Sequence, residues 1–227
     1  MSSIKDKLAS GQVVTMVNPG HPSPSMVEFL GGLGIDALFI DCEHGMAGPE
    51  RVQEMCRAAR VVGSAPIVRP EANREWLITR YLDAGAAGVM VPHIETADDA
   101  RALVAAVRYA RPADHQDKLV IALVESIKAL ENLDAIAGVE GIDAIFIGSG
   151  DLSNSMGLAN QRFHPEVTRR VKVAGQRIGQ LGKIAATRVT TANAGEFVDA
   201  GFRILYESAN AFLTEGAKQF KAAASRD

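Results

Sequence analysis

The regular alternation of short apolar runs with helical patterns is the feature that most restricts how this chain can fold. The runs lie at residues 13–17, 37–40, 66–68, 88–91, 119–124, 143–147, 184–186 and 203–206, and helical sequence follows each one. Nearly continuous apolar strands between helices indicate a parallel sheet that is covered by those helices. Eight such units in 227 residues predict an α/β fold, a single (β/α)8 TIM barrel.

A doubly wound open sheet is the alternative arrangement of strands and helices. The Gly-x-Gly-x-x-Gly fingerprint that often follows its first strand is missing from this chain. No linker or low-complexity segment divides the sequence either. We therefore expect one barrel domain that spans residues 1–227.

Composition excludes several classes of partner. The net charge is −3 and no block of Lys and Arg occurs, which argues against binding to nucleic acid or to a membrane surface. No apolar run approaches the ~18 residues that a membrane-spanning helix requires. Cys42 and Cys56 form neither a Cys-x-x-Cys motif nor a disulfide framework, and no signal-peptide pattern opens the sequence. We expect a cytoplasmic protein.

Ionisable residues stand where the predicted strands end, and in a TIM barrel these ends form the active site. They are Asp41, Glu43, His44, Arg69, Glu125 and Asp151. Carboxylates beside an imidazole are suited to acid/base chemistry. Glu125 and Asp151 have no compensating lysine, so they predict a divalent cation, and oxygen ligands favour Mg²⁺ or Mn²⁺. For Asp151, capping of the following helix is an equally good explanation.

Two further strand ends could bind an anion. Arg69 precedes Pro70, which favours extended backbone and directs the guanidinium to the barrel mouth, where it fits a carboxylate or an enolate oxygen. A salt bridge to a neighbouring acid is the alternative role for Arg69. The segment Gly148–Gly150 could turn N–H groups toward an anion, although a plain turn also explains it.

Lysine positions argue against one mechanism. An aldolase that forms an imine needs a lysine at the C-terminal end of a strand, whereas Lys118 and Lys183 precede strands. His93 follows a strand as well, and we expect it at the rim of the mouth. An imine mechanism is disfavoured.

Taken together, several segments resemble the HpcH/HpaI family of metal-dependent pyruvate aldolases. The resemblance runs from residue 13 to about residue 206. The matching segments are 41–45 (Asp-Cys-Glu-His-Gly), 67–70 (Ile-Val-Arg-Pro), 82–92, 124–126 (Val-Glu-Ser) and 139–153.

This resemblance implies a metal and a substrate site. Glu125 and Asp151 would ligate the divalent metal, with Mg²⁺ expected first and Mn²⁺ or Co²⁺ as alternatives. Backbone N–H groups of Gly150 and Asp151 would bind the carboxylate of a small 2-oxo acid. Arg69 would contact the substrate and stabilise the enolate oxygen. The resemblance also implies a homo-oligomer, a hexamer or a trimer.

The same resemblance implies an activity and its acid/base groups. The reaction would be reversible cleavage of a 4-hydroxy-2-oxo acid to pyruvate and an aldehyde through a metal-stabilised enolate. His44 would be the acid/base residue, oriented by Asp83, and Asp41 would lie near the aldehyde end. A thioester lyase of the citrate-lyase-β or malyl-CoA type and a barrel that binds keto acids without catalysis are the alternatives.

Overall fold

Each of the eight predicted apolar runs forms a strand in the computed structural model, which describes residues 3–225. The strands are β1 (Val14–Asn18), β2 (Ala37–Asp41), β3 (Ala65–Arg69), β4 (Gly88–Val91), β5 (Leu119–Val124), β6 (Ala144–Ile147), β7 (Ile184–Arg188) and β8 (Ile204–Ser208). Consecutive strands pair in parallel, and β8 returns to β1, where Val14 is in register with Ile204. The predicted (β/α)8 barrel is confirmed. Residues 1–2 and 226–227 of the predicted domain lie outside the described residues.

Helices cover the outside of the barrel. They are α1 (Ile4–Ala9), α2 (Pro24–Gly32), α3 (Pro49–Val61), α4 (Glu75–Asp83), α5 (Ala97–Ala110), α6 (Ile127–Glu131), α7 (Leu133–Ala137), α8 (Ser149–Ser155), α9 (Pro165–Gln180), α10 (Ala194–Asp199) and α11 (Ala209–Ala224), with a 3₁₀ turn at His115–Asp117. Two of them, α1 and α8, were not expected from the sequence, and one predicted helix is divided into α6 and α7. None of the helices within residues 3–225 combines the length and hydropathy needed to cross a lipid bilayer.

The core has two layers because side chains on each strand alternate between the barrel interior and the helices. The interior contains residues such as Met16, Phe39, Ile67 and Phe146, whereas the larger outer layer lies between strands and helices. At the top of the interior, Tyr206 meets Phe39 edge-to-face at 5.2 Å and Phe146 at 5.8 Å between ring centroids. These three rings form an aromatic floor below the mouth of the barrel.

Helix α1 closes the opposite end of the barrel. Its Leu8 is buried with the interior residues. Two lysines of this helix pair with acids that immediately precede strands: Lys5 Nζ lies 2.8 Å from Asp143, and Lys7 Nζ lies 2.5 Å from Asp36. The N-terminal end of the barrel is thus sealed, and the C-terminal end is the open one.

Candidate functional site

The carboxyl ends of the strands converge on a cavity of about 370 Å³ above the aromatic floor. Its charged lining is Asp41, His44, Arg69, Glu125, Asp151, Arg162 and Arg188. This volume is within the usual range for sites that bind small molecules. Five of the six strand-end residues predicted from the sequence therefore line this cavity, and the sixth, Glu43, contacts Arg69 beside it. Two arginines that the sequence did not predict there, Arg162 and Arg188, line it as well.

A tight turn after β2 presents three of these groups. Asp41 ends the strand, and its Oδ1 accepts hydrogen bonds from the backbone N–H groups of Glu43 (3.1 Å) and His44 (3.3 Å). A Cβ atom at Gly45 would lie 1.9 Å from the Asp41 carbonyl oxygen, so only glycine fits there. The motif noted in the sequence is therefore a turn whose geometry depends on its glycine.

Arg69 is the central cation of the mouth. Its Nε and Nη2 donate to Asp41 at 2.9 and 2.6 Å, and its Nη1 lies 2.7 Å from Glu43 Oε2. All three side chains are 11–13% exposed. Burial alone would lower the pKa of Arg69, but the hydrogen bond and negative charge of Asp41, with the charge of Glu43, outweigh it and raise the pKa. The salt bridge proposed as an alternative role is present, and the guanidinium still lines the cavity.

His93 connects this group to the next strand end. Its Nε2 lies 3.1 Å from Glu43 Oε1 and its Nδ1 lies 3.0 Å from Glu125 Oε1. Its backbone N–H also donates to Glu125 Oε1 at 3.1 Å, with His93 in the left-handed region at φ 56°. Asp41, Arg69, Glu43, His93 and Glu125 thus form a continuous row of side chains, which we call the charge row. His93 is exposed at the rim as expected, but its bridging position was not foreseen.

Glu125 and Asp151 are the paired carboxylates. Glu125 follows β5 and is 7% exposed, whereas Asp151 lies in the first turn of α8 and is exposed. Burial raises the pKa of Glu125 to about 6, the negative charges of Asp151 and Glu43 add to this, and His93 opposes it. A buried carboxylate beside a second one is an environment that a cation would stabilise.

The donor set fits a hard divalent cation. Within residues 3–225, no group of three or more His, Cys, Asp and Glu side chains forms a ready-made metal cage. The protein therefore offers two carboxylates, and water and substrate would complete the shell, which is how Mg²⁺ is usually bound. His93 contacts Oε1 of Glu125, and Oε2 of Glu125 lies 3.1 Å from the position that a Cβ atom would take at Gly148. The backbone at residue 148 can therefore approach the Glu125 carboxylate closely only because that residue is a glycine.

The expected contact between His44 and Asp83 is not formed within the chain. His44 Nε2 lies 3.8 Å from Glu43 Oε2, and the ring is exposed. Asp83 is the last residue of α4, a helix that returns from the mouth to the N-terminal end of β4. Its carboxylate is 62% exposed there and lies 3.8 Å from Arg111 Nη1. Asp83 and His44 therefore do not meet within one chain, and the orientation of His44 by Asp83 stays a prediction.

Arg188 and Glu207 are mouth residues that the sequence analysis missed. Arg188 donates from Nε (3.0 Å) and Nη2 (2.7 Å) to the same oxygen, Oε1 of Glu207. The apolar runs that predicted the last two strands end at Ala186 and Tyr206, two residues before the observed strands end.

Comparisons with known proteins place the chain in a family. The family model described as HpcH/HpaI aldolase/citrate lyase matches residues 16–218. The chain is 35% identical to a 2-keto-3-deoxy-L-rhamnonate aldolase of Escherichia coli, over 80% of this chain and 76% of that protein. It is 31% identical to a hydroxypyruvate/pyruvate aldolase of Roseobacter denitrificans, over 84% and 83%.

Solved structures give the same result. The crystal structure of citrate synthase SbnG superimposes with a TM-score of 0.87 at 26% identity, covering 99% of both chains. A HpcH/HpaI aldolase/citrate lyase family protein from Burkholderia cenocepacia gives a TM-score of 0.85 at 28% identity, covering 98% of this chain and 99% of that one. The chain belongs to the HpcH/HpaI aldolase/citrate lyase family.

Proposed function

We propose that this enzyme is a class II aldolase that reversibly cleaves a 4-hydroxy-2-oxo acid to pyruvate and an aldehyde. The observation that carries the proposal is the meeting of Glu125, Asp151 and Arg69 at one cavity. Two carboxylates that can hold a cation and a fixed guanidinium are the groups that stabilise an enolate. The relatives named as aldolases support the same reaction class.

Glu125 and Asp151 hold the divalent cation in this proposal. When bound, Mg²⁺, Mn²⁺ or Co²⁺ supplies Lewis-acid polarisation of the substrate's keto group. The first-turn N–H groups of Gly150 and Asp151 have no acceptor within α8, and a Cβ at Gly150 would meet nothing within 4 Å. These N–H groups bind the carboxylate of the 2-oxo acid.

The charge row and the turn after β2 do the remaining chemistry. Arg69 uses three of its five N–H groups on Asp41 and Glu43, which leaves donors for the developing enolate oxygen. His44 takes the proton from the C4 hydroxyl during cleavage, and a proton added at C3 of the enolate gives pyruvate; addition reverses both transfers. His44 lines both the main cavity and an adjoining one of about 190 Å³, which Asp41 shares, so the reacting carbon of the aldehyde lies beside this turn.

A homo-oligomer, hexameric or trimeric, is part of the proposal. Only Ala209 of α11 is buried, while Phe212, Leu213 and Phe220 of this helix are 43–77% exposed. Apolar side chains at this density indicate a surface that another copy covers. Asp83 could reach a His44 only from another copy. Light scattering on the purified protein tests this, and a monodisperse monomer would contradict it.

The proposal also includes a cytoplasmic location, which the cysteine content supports. Both cysteines, Cys42 and Cys56, are buried free thiols. Free thiols are the usual state of cysteine in a reducing compartment. Expression of a tagged chain followed by cell fractionation tests this location.

The decisive experiment measures pyruvate release from a panel of 4-hydroxy-2-oxo acids with a lactate-dehydrogenase-coupled assay. We expect turnover with Mg²⁺, Mn²⁺ or Co²⁺ and none with EDTA. Glu125→Gln should lose calorimetric Mn²⁺ binding and at least ~100-fold in kcat, more than loss of an outer-shell partner costs. Glu140→Gln, an exposed glutamate at the other end of the barrel, is the matched control.

Three outcomes would contradict the proposal. Pyruvate release that persists in EDTA would remove the cation from the mechanism. A covalent adduct trapped by borohydride with pyruvate would restore an imine mechanism. Absence of pyruvate from every acid with every cation would favour a thioester lyase or a barrel without turnover.

A further inference from the structure

Two arginines at the mouth have no task in the proposed chemistry. Arg188 ends β7, and Arg162 lies in the segment between α8 and α9. Both line the main cavity, together with Asp151 and Asn154.

Arg188 is held in place with donors to spare. Glu207, which is buried, accepts two of its five N–H groups through a single oxygen. The guanidinium carbon lies 6.0 Å from the centre of the Tyr206 ring. The side chain is therefore fixed along one edge, and its Nη1 edge is unused by the described residues. A fixed guanidinium with free donors is preorganised for an anion.

Arg162 has no ion pair or hydrogen bond with any described residue, although it is half-buried. Its segment is tied to the metal side of the cavity: Asn160 donates its N–H to Asn154 Oδ1 at 2.9 Å, and Asn154 Nδ2 lies 3.4 Å from Asp151 Oδ1. Asn160 has φ 60°, a left-handed conformation that fixes the direction of the chain just before Arg162. This cation is thus placed at the mouth without a partner among residues 3–225.

Of the three guanidinium groups that line the cavity, only that of Arg162 lacks a carboxylate partner among the described residues. Arg69 pairs with two carboxylates, Asp41 and Glu43, and Arg188 pairs with Glu207. A divalent cation would balance the two carboxylates on the metal side, and the N–H groups of α8 would hold the 2-oxo carboxylate. Arg162 then remains without a counter-charge in a partly desolvated site, where a second anion gains most.

We propose that Arg162 and Arg188 form a subsite for a second anionic group, carried by the aldehyde half of the 4-hydroxy-2-oxo acid. The inference rests on the proposed aldolase function and names the substrate class for it. A carboxylate and a phosphate share the chemistry that a guanidinium fork recognises. The enzyme therefore prefers acidic aldehydes over neutral aldehydes of the same length.

The test compares aldol addition of pyruvate to matched aldehydes. Succinic semialdehyde is paired with butanal for the carboxylate, and glyceraldehyde 3-phosphate with glyceraldehyde for the phosphate. We expect kcat/KM to be at least ~10-fold higher for the acidic member of one pair, which identifies the anion. Arg162→Gln should reduce this preference at least ~10-fold, and Arg162→Lys should restore part of it. Arg169→Gln on α9, outside the cavity, is the matched control and should leave both rates unchanged.

Arg188 needs a paired variant because Arg188→Gln alone would leave Glu207 buried without its partner. Arg188→Met combined with Glu207→Met removes both charges and keeps similar volume. This double variant should also lose the preference while retaining a cooperative unfolding transition.

Three results would overturn the inference. One is a wild-type enzyme that turns over neutral aldehydes with no preference for acidic ones, which leaves the aldolase function intact. Another is an equal loss on acidic and neutral aldehydes in the Arg162 variants, which would place that arginine on the 2-oxo acid. A wild-type enzyme that turns over no aldehyde in either pair would overturn the aldolase function and this inference together.

Discussion

Removal of Arg69 should destabilise the barrel as well as slow the reaction. Arg69→Met keeps most of the aliphatic stem and deletes the charge that Asp41 and Glu43 share. Both carboxylates are only 11–13% exposed, so neither can recover its hydration without movement of the mouth. Breaking a buried ion pair by removing one partner costs about 3–5 kcal/mol.

The local contacts place this cost at the lower end of that range. Glu43 keeps His93 at 3.1 Å, and Asp41 keeps two backbone N–H donors at 3.1 and 3.3 Å. We therefore expect the free energy of unfolding to fall by about 3 kcal/mol. With a urea dependence of about 1–3 kcal/mol per molar, the unfolding midpoint should fall by at least about 1 M.

Urea unfolding followed by far-UV circular dichroism measures this loss, with protein concentration held constant because assembly affects apparent stability. In Arg69→Met with Asp41→Asn, about half of the loss should be recovered, since an amide leaves no uncompensated charge. A loss under about 1 kcal/mol in Arg69→Met would refute the reasoning, because it would show that the mouth hydrates these carboxylates.

Three further predictions test other parts of the structure. Gly148→Ala should weaken Mn²⁺ binding measured by calorimetry, because its Cβ would lie 2.9 Å from Glu125 Cβ; unchanged affinity would contradict the close approach. Burial raises the pKa of Cys42 to about 11 and of Cys56 to about 12, so at pH 8 at most about one thiol in a thousand is ionised. Iodoacetamide should therefore modify both cysteines only after denaturation, which mass spectrometry would show. Burial would raise the pKa of Asp36, but hydrogen bonds from a lysine and a threonine outweigh burial and lower it. Asp36→Asn should therefore cost about 1–2 kcal/mol in urea unfolding at pH 7, and this cost should shrink as the pH falls below about 4. A cost that stays constant with pH would exclude the ionised carboxylate as its cause.

The strands were predictable because a parallel barrel buries both faces of each one. The apolar runs at Ala37–Ile40 and Leu119–Val124 agree with the observed strands within a residue. Since strand ends in a closed barrel must meet, the order of runs alone placed Arg69, Glu125 and Asp151 at one mouth. That part of the site follows from topology.

The remaining contacts depend on distances that a strand pattern does not contain. The bridge by His93 requires a left-handed residue after a proline, and nothing in the sequence demands that conformation. For Gly148–Gly150, the sequence left open N–H groups turned toward an anion or a plain turn. Helix α8, which begins at Ser149, was missed because so short a helix carries too little apolar periodicity to be recognised. The role of Asp83 came from the family resemblance. Only the course of α4 shows that, within one chain, Asp83 lies at the opposite end of the barrel from His44.

The charge row limits how this enzyme can change during evolution. Each of its inner members contacts two neighbours in the row, so a single substitution there disturbs two interactions, and such effects do not add independently. Arg162 forms no ion pair or hydrogen bond with them or with any other residue that the structure describes. A lineage could therefore exchange Arg162 for another residue and acquire a new acceptor aldehyde while the enolate machinery remained unaltered.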